Sequence, residues 1–236
     1  MIYITGDTHA DFRRFNTRNF PEQRGITKDD YVIVCGDFGI WDGSRRENHD
    51  MDWLDGKPFT TLFVDGNHEN FDLLNRYPVT QWHGGRVHII RPNVIHLMRG
   101  QIYGIDGKRI FTFGGGLSID KSCRTPYISW WPEEEPSTAE MALALDNLAK
   151  VGNRVDYIIT HACPQSIMRN VLCNIQPMLQ MDCVCEKFLD RILDTVSYEM
   201  WYCGHYHMDV YIGQYNLQVL YQSIIACTPG YPTVGV

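Results

Sequence analysis

The stretch YVIVCGDFG, Tyr31 to Gly39, carries an unbroken apolar run into a glycine and then an aspartate. A run of this kind, with no polar alternation, is what a strand covered on both faces of a sheet requires. Gly36 permits the tight turn that ends the strand, and Asp37 is then delivered to the strand's C-terminal edge, where open α/β sheets bind their ligands. A single Gly-Asp pair at a strand end is no more than a turn signal. Three other strand ends share the form, however. MIYITGDTH, LFVDGNHE and WYCGHYH place Asp7, Asn67 and His205 directly after Gly6, Gly66 and Gly204. A fifth strand, VDYIITH, ends on His161 without the glycine. Each of these side chains can ligate a metal ion. Of the nine histidines, five (His9, His68, His161, His205 and His207) fall at these ends, so the remaining four are assigned to the surface or the core.

Outward from Tyr31–Gly39, the strands MIYIT, DYVIVC and FTTLFVD alternate with the helical stretches DFRRFNTRNF and RRENHDMDWL. That order predicts an α/β layered fold, with a sheet covered by helices and right-handed crossovers. RVHII, VIHLM and RIFTFGG, punctuated by Gly and Pro, read as an antiparallel meander forming a second sheet. In PSTAEMALALDNLAKVG, Ser137 and Glu140 form a capping box and Gly152 closes the helix, so the stripe Met141, Leu145 and Leu148 belongs to the core. A helix from roughly Met178 to Thr195 and the short closing strands VYIG, LQVLYQ and SIIAC complete the layout. The long irregular stretch from Gly114 to Pro136 is a candidate functional loop. No low-complexity segment divides the chain, so a single domain over residues 1–236 is expected.

Composition narrows the function. With 236 residues and 44% hydrophobic content, the chain can bury a sizeable core. The net charge of -7 disfavours non-specific binding to duplex DNA and leaves open a small phosphoester substrate. No stretch is long and apolar enough for a membrane helix and no leader is evident, so a cytoplasmic protein with no membrane partner is expected. The eight cysteines sit mostly in apolar runs and read as reduced thiols, and the helical setting of Cys183 and Cys185 argues against a structural zinc. In GHYH, a regular strand would turn His205 and His207 to one face.

The ordered blocks Asp7-Thr8-His9, Gly36-Asp37, Gly66-Asn67-His68-Glu69, His161 and Gly204-His205-Tyr206-His207 resemble those of the calcineurin-like metallophosphoesterases. They extend from residue 7 to 207 and so span nearly the whole chain. The resemblance implies two mixed β-sheets packed as a sandwich flanked by helices. It puts His205 and His207 in a loop beyond the strand, on different metals. An Asp, Asn and His cluster is too oxygen-rich for a structural zinc site and has too many ligands for one ion, so two ions sharing a carboxylate are expected. By resemblance, Asp7, His9, Asp37 and His207 hold one and Asp37, Asn67, His161 and His205 the other, as Mn, Fe or Zn. Two cations about 3.5–4 Å apart bring a bridging water to a pKa of roughly 7 and clamp a phosphoryl group, which is the chemistry of phosphoester hydrolysis. Asp37 bridges, and the resemblance makes His68 the general acid at the leaving oxygen.

One departure removes the protein-phosphatase branch: where that branch reads G-D-x-V-D-R-G, this chain has Ile40 and Trp41 in place of the Asp and Arg. Glu69 or Asp42 is then left to orient His68. In the long loop, Arg124 or Lys121 is positioned to meet the substrate phosphate, and Trp130 or Trp131 to stack on the substrate or cover the site. The alternatives are that both Trp anchor the loop on the core and that Glu133–Glu135 form a solvated face. Cys163 lies near the metals as a buried thiol. The expected function is hydrolysis of a phosphomonoester or phosphodiester; the rivals are a nuclease-like activity on single-stranded nucleic acid and a non-catalytic scaffold of the same fold.

Overall fold

The computed structural model describes residues 1–176 and 181–227. Strands β1 (Ile2–Thr5), β2 (Tyr31–Val34), β3 (Thr60–Phe63) and β6 (Val94–Leu97) run parallel in one sheet. Antiparallel β13 (Ile224–Ala226), β5 (Gly85–Arg91) and β4 (Val79–Trp82) extend it to seven strands, in the order β13-β1-β2-β3-β6-β5-β4. The second sheet has six strands, ordered β11-β12-β10-β9-β8-β7. Its parallel core is β8 (Lys108–Phe113), β9 (Tyr157–Thr160), β10 (Met200–Cys203) and β12 (Leu217–Val219), with β7 (Gln101–Ile105) and β11 (Val210–Ile212) as antiparallel edges.

The sheets pack face to face, and the apolar runs are explained by burial on both sides. Ile2, Ile4, Ile33 and Leu62 point inward to meet Ile110, Tyr157, Ile159 and Tyr202 of the other sheet. The intervening Tyr3, Val32 and Val34 point outward into a layer with Phe12, Phe15, Met51 and Leu54. Helix α1 (Arg45–Asp55), capped by Ser44, supplies Met51 and Leu54 to that layer. On the far side, α3 (Thr138–Lys150) and α6 (Val184–Thr195) cover the second sheet. Cys185, Phe188, Leu189 and Ile192 recur at helical spacing on the buried face of α6. The capping box of Ser137 and Glu140 forms as its spacing requires. Short α2 (Phe71–Leu74) follows the third ligand block, and α4 (Gln165–Ile167), a π-helical turn and α5 (Cys173–Ile175) follow His161.

Three expectations change. DFRRFNTRNF holds one 3₁₀ turn, Phe12–Phe15, instead of a helix, because the Asn16 side chain accepts from the Arg18 and Asn19 amides, and a second 3₁₀ turn, Pro21–Arg24, follows it. The expected meander is divided: β5 and β6 belong to the first sheet, and the chain crosses at Gly100, with φ +70°, before β7 and β8 start the second. Periodicity reports burial, not which sheet a strand joins. Met178 lies outside the described residues, and the helix there spans Val184–Thr195. No helix among the described residues is long and apolar enough to cross a membrane.

Candidate metal centre

The C-terminal ends of β1, β2 and β3 face those of β9 and β10 across the sandwich, so every expected ligand arrives at one place. Asp7, His9 and His207 present ligand atoms within 4.8 Å of one another, as do Asp7, Asp37 and His161. Asp37 stands between the two groups, with Oδ2 3.8 Å from His9 Nε2 and Oδ1 3.4 Å from His161 Nε2. Asn67 Oδ1 and His205 Nδ1 lie 3.0 and 3.1 Å from His161 Nε2. His161 Nδ1 donates to the Cys35 carbonyl at 2.8 Å, which leaves the Nε2 lone pair facing these acceptors. Asp7 Oδ2 is buried with no hydrogen-bond partner among the described residues, although His207 Nε2 is 3.2 Å away. Lone pairs that converge in this way, on an N and O donor set with an orphaned carboxylate oxygen, fit two cations sharing Asp37.

The glycines have a reason the sequence did not disclose. A Cβ on Gly66 would stand 2.0 Å from Asp37 Oδ1, and one on Gly204 would stand 2.2 Å from Asp7 Oδ1. Neither has a left-handed φ, so close approach and not turn geometry demands glycine there. Four of the expected ligands are themselves left-handed, His9 at +45°, Asp37 at +45°, His205 at +70° and His207 at +51°, as is Ala10 at +57° beside them. Such conformations are uncommon away from glycine and concentrate at functional sites. The GHYH pair is therefore not strand-like, as the family pattern implied: β10 ends at Cys203, His205 faces the His161 group and His207 the His9 group.

Electrostatics separates the two carboxylates. Burial opposes ionisation of Asp7, but the nearby His207 ring, 3.2 Å from Oδ2, together with His161 and the His205 amide, outweighs it and holds the carboxyl at about 2. Asp37 is raised, by burial first and, among its neighbours, by the Asp7 charge. Burial pushes His205 down to about 3, which keeps the ring neutral and able to ligate.

Around this centre stand residues the sequence left unassigned. The Asn67 amide nitrogen donates to Ser118 Oγ at 3.0 Å, and Ser118 donates from Oγ and N to the two oxygens of Glu134. That pair turns the amide oxygen toward His161. Glu134 is 1% exposed, so the expected solvated glutamate run has its middle member inside the protein. Asp65 accepts from His96 Nε2 and from Nε and Nη2 of Arg99, and Arg99 also donates to the Glu133 carbonyl, tying the long loop to the Asn67 turn. Arg14 donates to the Gly6 and Asp7 carbonyls and fixes the first turn. An Asp inside the apolar run of LFVD was the only sequence signal for any of these.

His68 is braced differently from the expectation. Glu69 accepts from the amides of Phe38, Gly39 and Ile40, and Asp42 from Ser44, so neither carboxylate touches His68. Instead the His68 amide donates to Asp37 Oδ1 at 2.8 Å, and the Trp41 indole donates to the His68 carbonyl at 2.9 Å. Arg124, held by Asp120 at 2.7 Å, reaches His68 Nδ1 at 2.9 Å. A guanidinium only donates, and its second nitrogen stands farther off, 3.4 Å from Nε2, so the shorter contact makes Nδ1 the acceptor and leaves the ring proton to Nε2. Burial, more than Arg124, lowers the basicity of this ring. Of the other loop residues, Lys121 sits over the Trp130 ring, 5.9 Å from its centroid, and lies away from the ligand cluster. Trp131 is buried with its indole N–H on Asp72, anchoring the loop. Cys163 is buried with its amide on Tyr206 Oη.

Residues 1–209 match the family described as calcineurin-like phosphoesterase. Lariat debranching enzyme of Drosophila melanogaster is 25% identical over 239 aligned positions, covering 87% of this chain and 42% of that protein. Its counterpart in Drosophila pseudoobscura pseudoobscura is 23% identical with the same coverage. The chain thus spans 42% of the length of these curated relatives. Among solved structures, phosphopantetheinyl hydrolase from Mycobacterium tuberculosis superposes with a TM-score of 0.54 at 16% identity, over 98% of this chain and 97% of that one, which shows a shared fold. Ligand blocks in order, a two-sheet frame that gathers them and a family match over nearly the full length converge: this chain belongs to the calcineurin-like phosphoesterases, a family of metal-dependent phosphoester hydrolases with a dinuclear centre.

Proposed function

We propose that this chain hydrolyses phosphoesters at a dinuclear centre held by Asp7, His9, Asp37 and His207 on one side and Asp37, Asn67, His161 and His205 on the other. The observation that carries this is the position of Asp37, whose two oxygens face the two ligand groups separately. Bound cations would supply Lewis acidity at the phosphoryl oxygens and lower the pKa of water. The chain supplies the rest. His68, braced by Asp37 and Trp41, stands beside the ligands as the proton donor to the leaving oxygen. Arg124 rests on His68 Nδ1 and is the cation nearest to it. A substrate phosphate would draw the guanidinium to itself and free Nδ1 to take a proton from solvent as Nε2 gives its own to the leaving oxygen. Reduced thiols at all eight cysteines suit a cytoplasmic protein.

The test is metal content of the purified protein followed by hydrolysis of 4-nitrophenyl phosphate and bis(4-nitrophenyl) phosphate with Mn, Zn or Mg. Metal-loaded wild type turns over at least one ester, Asp37→Asn abolishes turnover, and His68→Ala lowers it by about 10²–10⁴. Failure of the loaded wild type on both esters sinks the proposal.

A second reading makes the substrate a nucleic-acid phosphodiester, as the name of the debranching relatives suggests. It is favoured by an open groove of about 730 Å³ leading away from His9, with half-exposed Trp41 and Trp53 as stacking surfaces and Arg13 and Arg46 beside them. Asp11, Asp42, Glu47 and Asp50 line the same groove and weigh against a polyanion. Cleavage of single-stranded or branched RNA, compared with bis(4-nitrophenyl) phosphate, separates the two.

A further inference from the structure

On the His68 side of the centre a cavity of about 520 Å³ opens between the long loop and α6. Asp37, Asn67, His68 and His205 line its inner end, so the cavity and the metal centre are continuous. Its farther wall is largely apolar, built from Leu117, Ile119, Met168, Met181 and Cys183, with Asp120 and Gln176 as polar members of the lining. Glu186 lines this wall. Its side chain belongs to a residue only 5% exposed, and Oε1 accepts the Tyr206 hydroxyl at 2.9 Å. The hydroxyl's single proton is spent on Oε1, and Tyr206 Oη in turn accepts the Cys163 amide. Oε2 is buried and has no partner among the described residues. A buried carboxyl oxygen left without a partner costs free energy unless a ligand completes it.

We propose that this cavity takes the alcohol portion of the substrate, and that Glu186 Oε2 reads a hydroxyl carried on an otherwise aliphatic alcohol. The proposal rests on the phosphoesterase reading and specifies its leaving group. Three observations support it. The cavity shares its inner end with His68, the group placed to protonate the leaving oxygen. Its apolar wall favours an aliphatic body over a second charged group. Burial pushes the Glu186 carboxyl up to about 7, so near neutrality it occurs in both accepting and donating forms, which suits a hydroxyl that does both. The Tyr between the two ligand histidines of GHYH thereby gains a role, fixing Oε1 and leaving Oε2 for the substrate.

The experiment uses the metal-loaded chain and matched esters, n-alkyl phosphates against ω-hydroxyalkyl phosphates of the same carbon number, as monoesters and as methyl diesters, followed by alcohol release. At one chain length the hydroxylated ester is preferred in kcat/KM by roughly tenfold, the value of one well-made hydrogen bond at a site built for it. In Glu186→Leu that preference falls to near unity, while Glu186→Gln, which keeps an acceptor for Tyr206 and a polar group in the cavity, retains part of it. A ratio near unity at every chain length in the wild type overturns the proposal without any variant, and so does a preference that survives in Glu186→Leu. Turnover of nitrophenyl esters without a hydroxyl preference overturns this proposal alone. No turnover of any ester takes the phosphoesterase reading down with it.

Discussion

Replacing Gly66 by alanine tests how the centre is assembled, because the substitution adds one methyl group and no strain in φ. The new Cβ would lie 2.0 Å from Asp37 Oδ1 and 2.3 Å from the Asp37 amide nitrogen. Carbon does not approach these atoms closer than about 3.0 Å, so the Asn67 turn and Asp37 must part by about 1 Å. Asp37 is the proposed shared ligand, and its Oδ1 also holds the His68 amide at 2.8 Å, so one movement disturbs both groups of proposed ligands and the proposed proton donor. A misplacement of about 1 Å costs on the order of 10² in rate, or about 3 kcal/mol in the barrier. Overpacking adds about 1–3 kcal/mol of lost stability. The assay combines a thermal melt, manganese binding by equilibrium dialysis, and kcat/KM on bis(4-nitrophenyl) phosphate at saturating metal. Gly104→Ala, where the added methyl meets nothing within 4 Å, is the matched control and binds metal as the wild type does. If Gly66→Ala keeps both its stoichiometry and a kcat/KM within a few-fold of wild type, the close-packed account of these glycines is wrong.

Two further outcomes follow from groups behind the ligands. Ser118→Ala frees the Asn67 amide to rotate, so affinity for the second of two titrated ions falls by about 10–100-fold while the first is unchanged; equal losses at both would refute the orienting role. Glu186 has a folded-state pKa of about 7, above its ordinary 4.5, so the folded state holds the extra proton and wild-type stability declines as pH rises through that interval. Glu186→Gln lacks the titration, and its melting temperature gains on wild type between about pH 5 and pH 8, by the equivalent of on the order of 3 kcal/mol at most; a constant gap across that range would contradict the buried, raised carboxyl.

The clustering of the expected ligands was legible because their placement is local: each lies at a strand end, and a strand's direction carries its end to the sheet edge. The supports were not, because they are contacts between distant segments. Ser118 is 51 positions from Asn67, and Glu134 sat in a run whose composition matched a solvated face. The roles of the glycines were half legible. Their place before each ligand was plain, but close approach between blocks shows only once the two sheets are docked. The same limit explains the loop: arginine, lysine and two tryptophans in one stretch looked equivalent, and only packing separates Arg124, at His68, from Trp131, pinned under the loop by Asp72.

The division of ligands between the sheets has a mechanical consequence. Asp7, Asp37 and Asn67 hang from one sheet and His161, His205 and His207 from the other, and His9 meets His207 across 198 positions of chain. Cations seated among them would act as rivets through both plates of the sandwich, drawing together ends that the unfolded chain holds far apart. Loading the site and clamping the fold are then one event. A cell short of metal would hold a looser protein as well as an idle one, open to proteases along the seam where its chemistry is done.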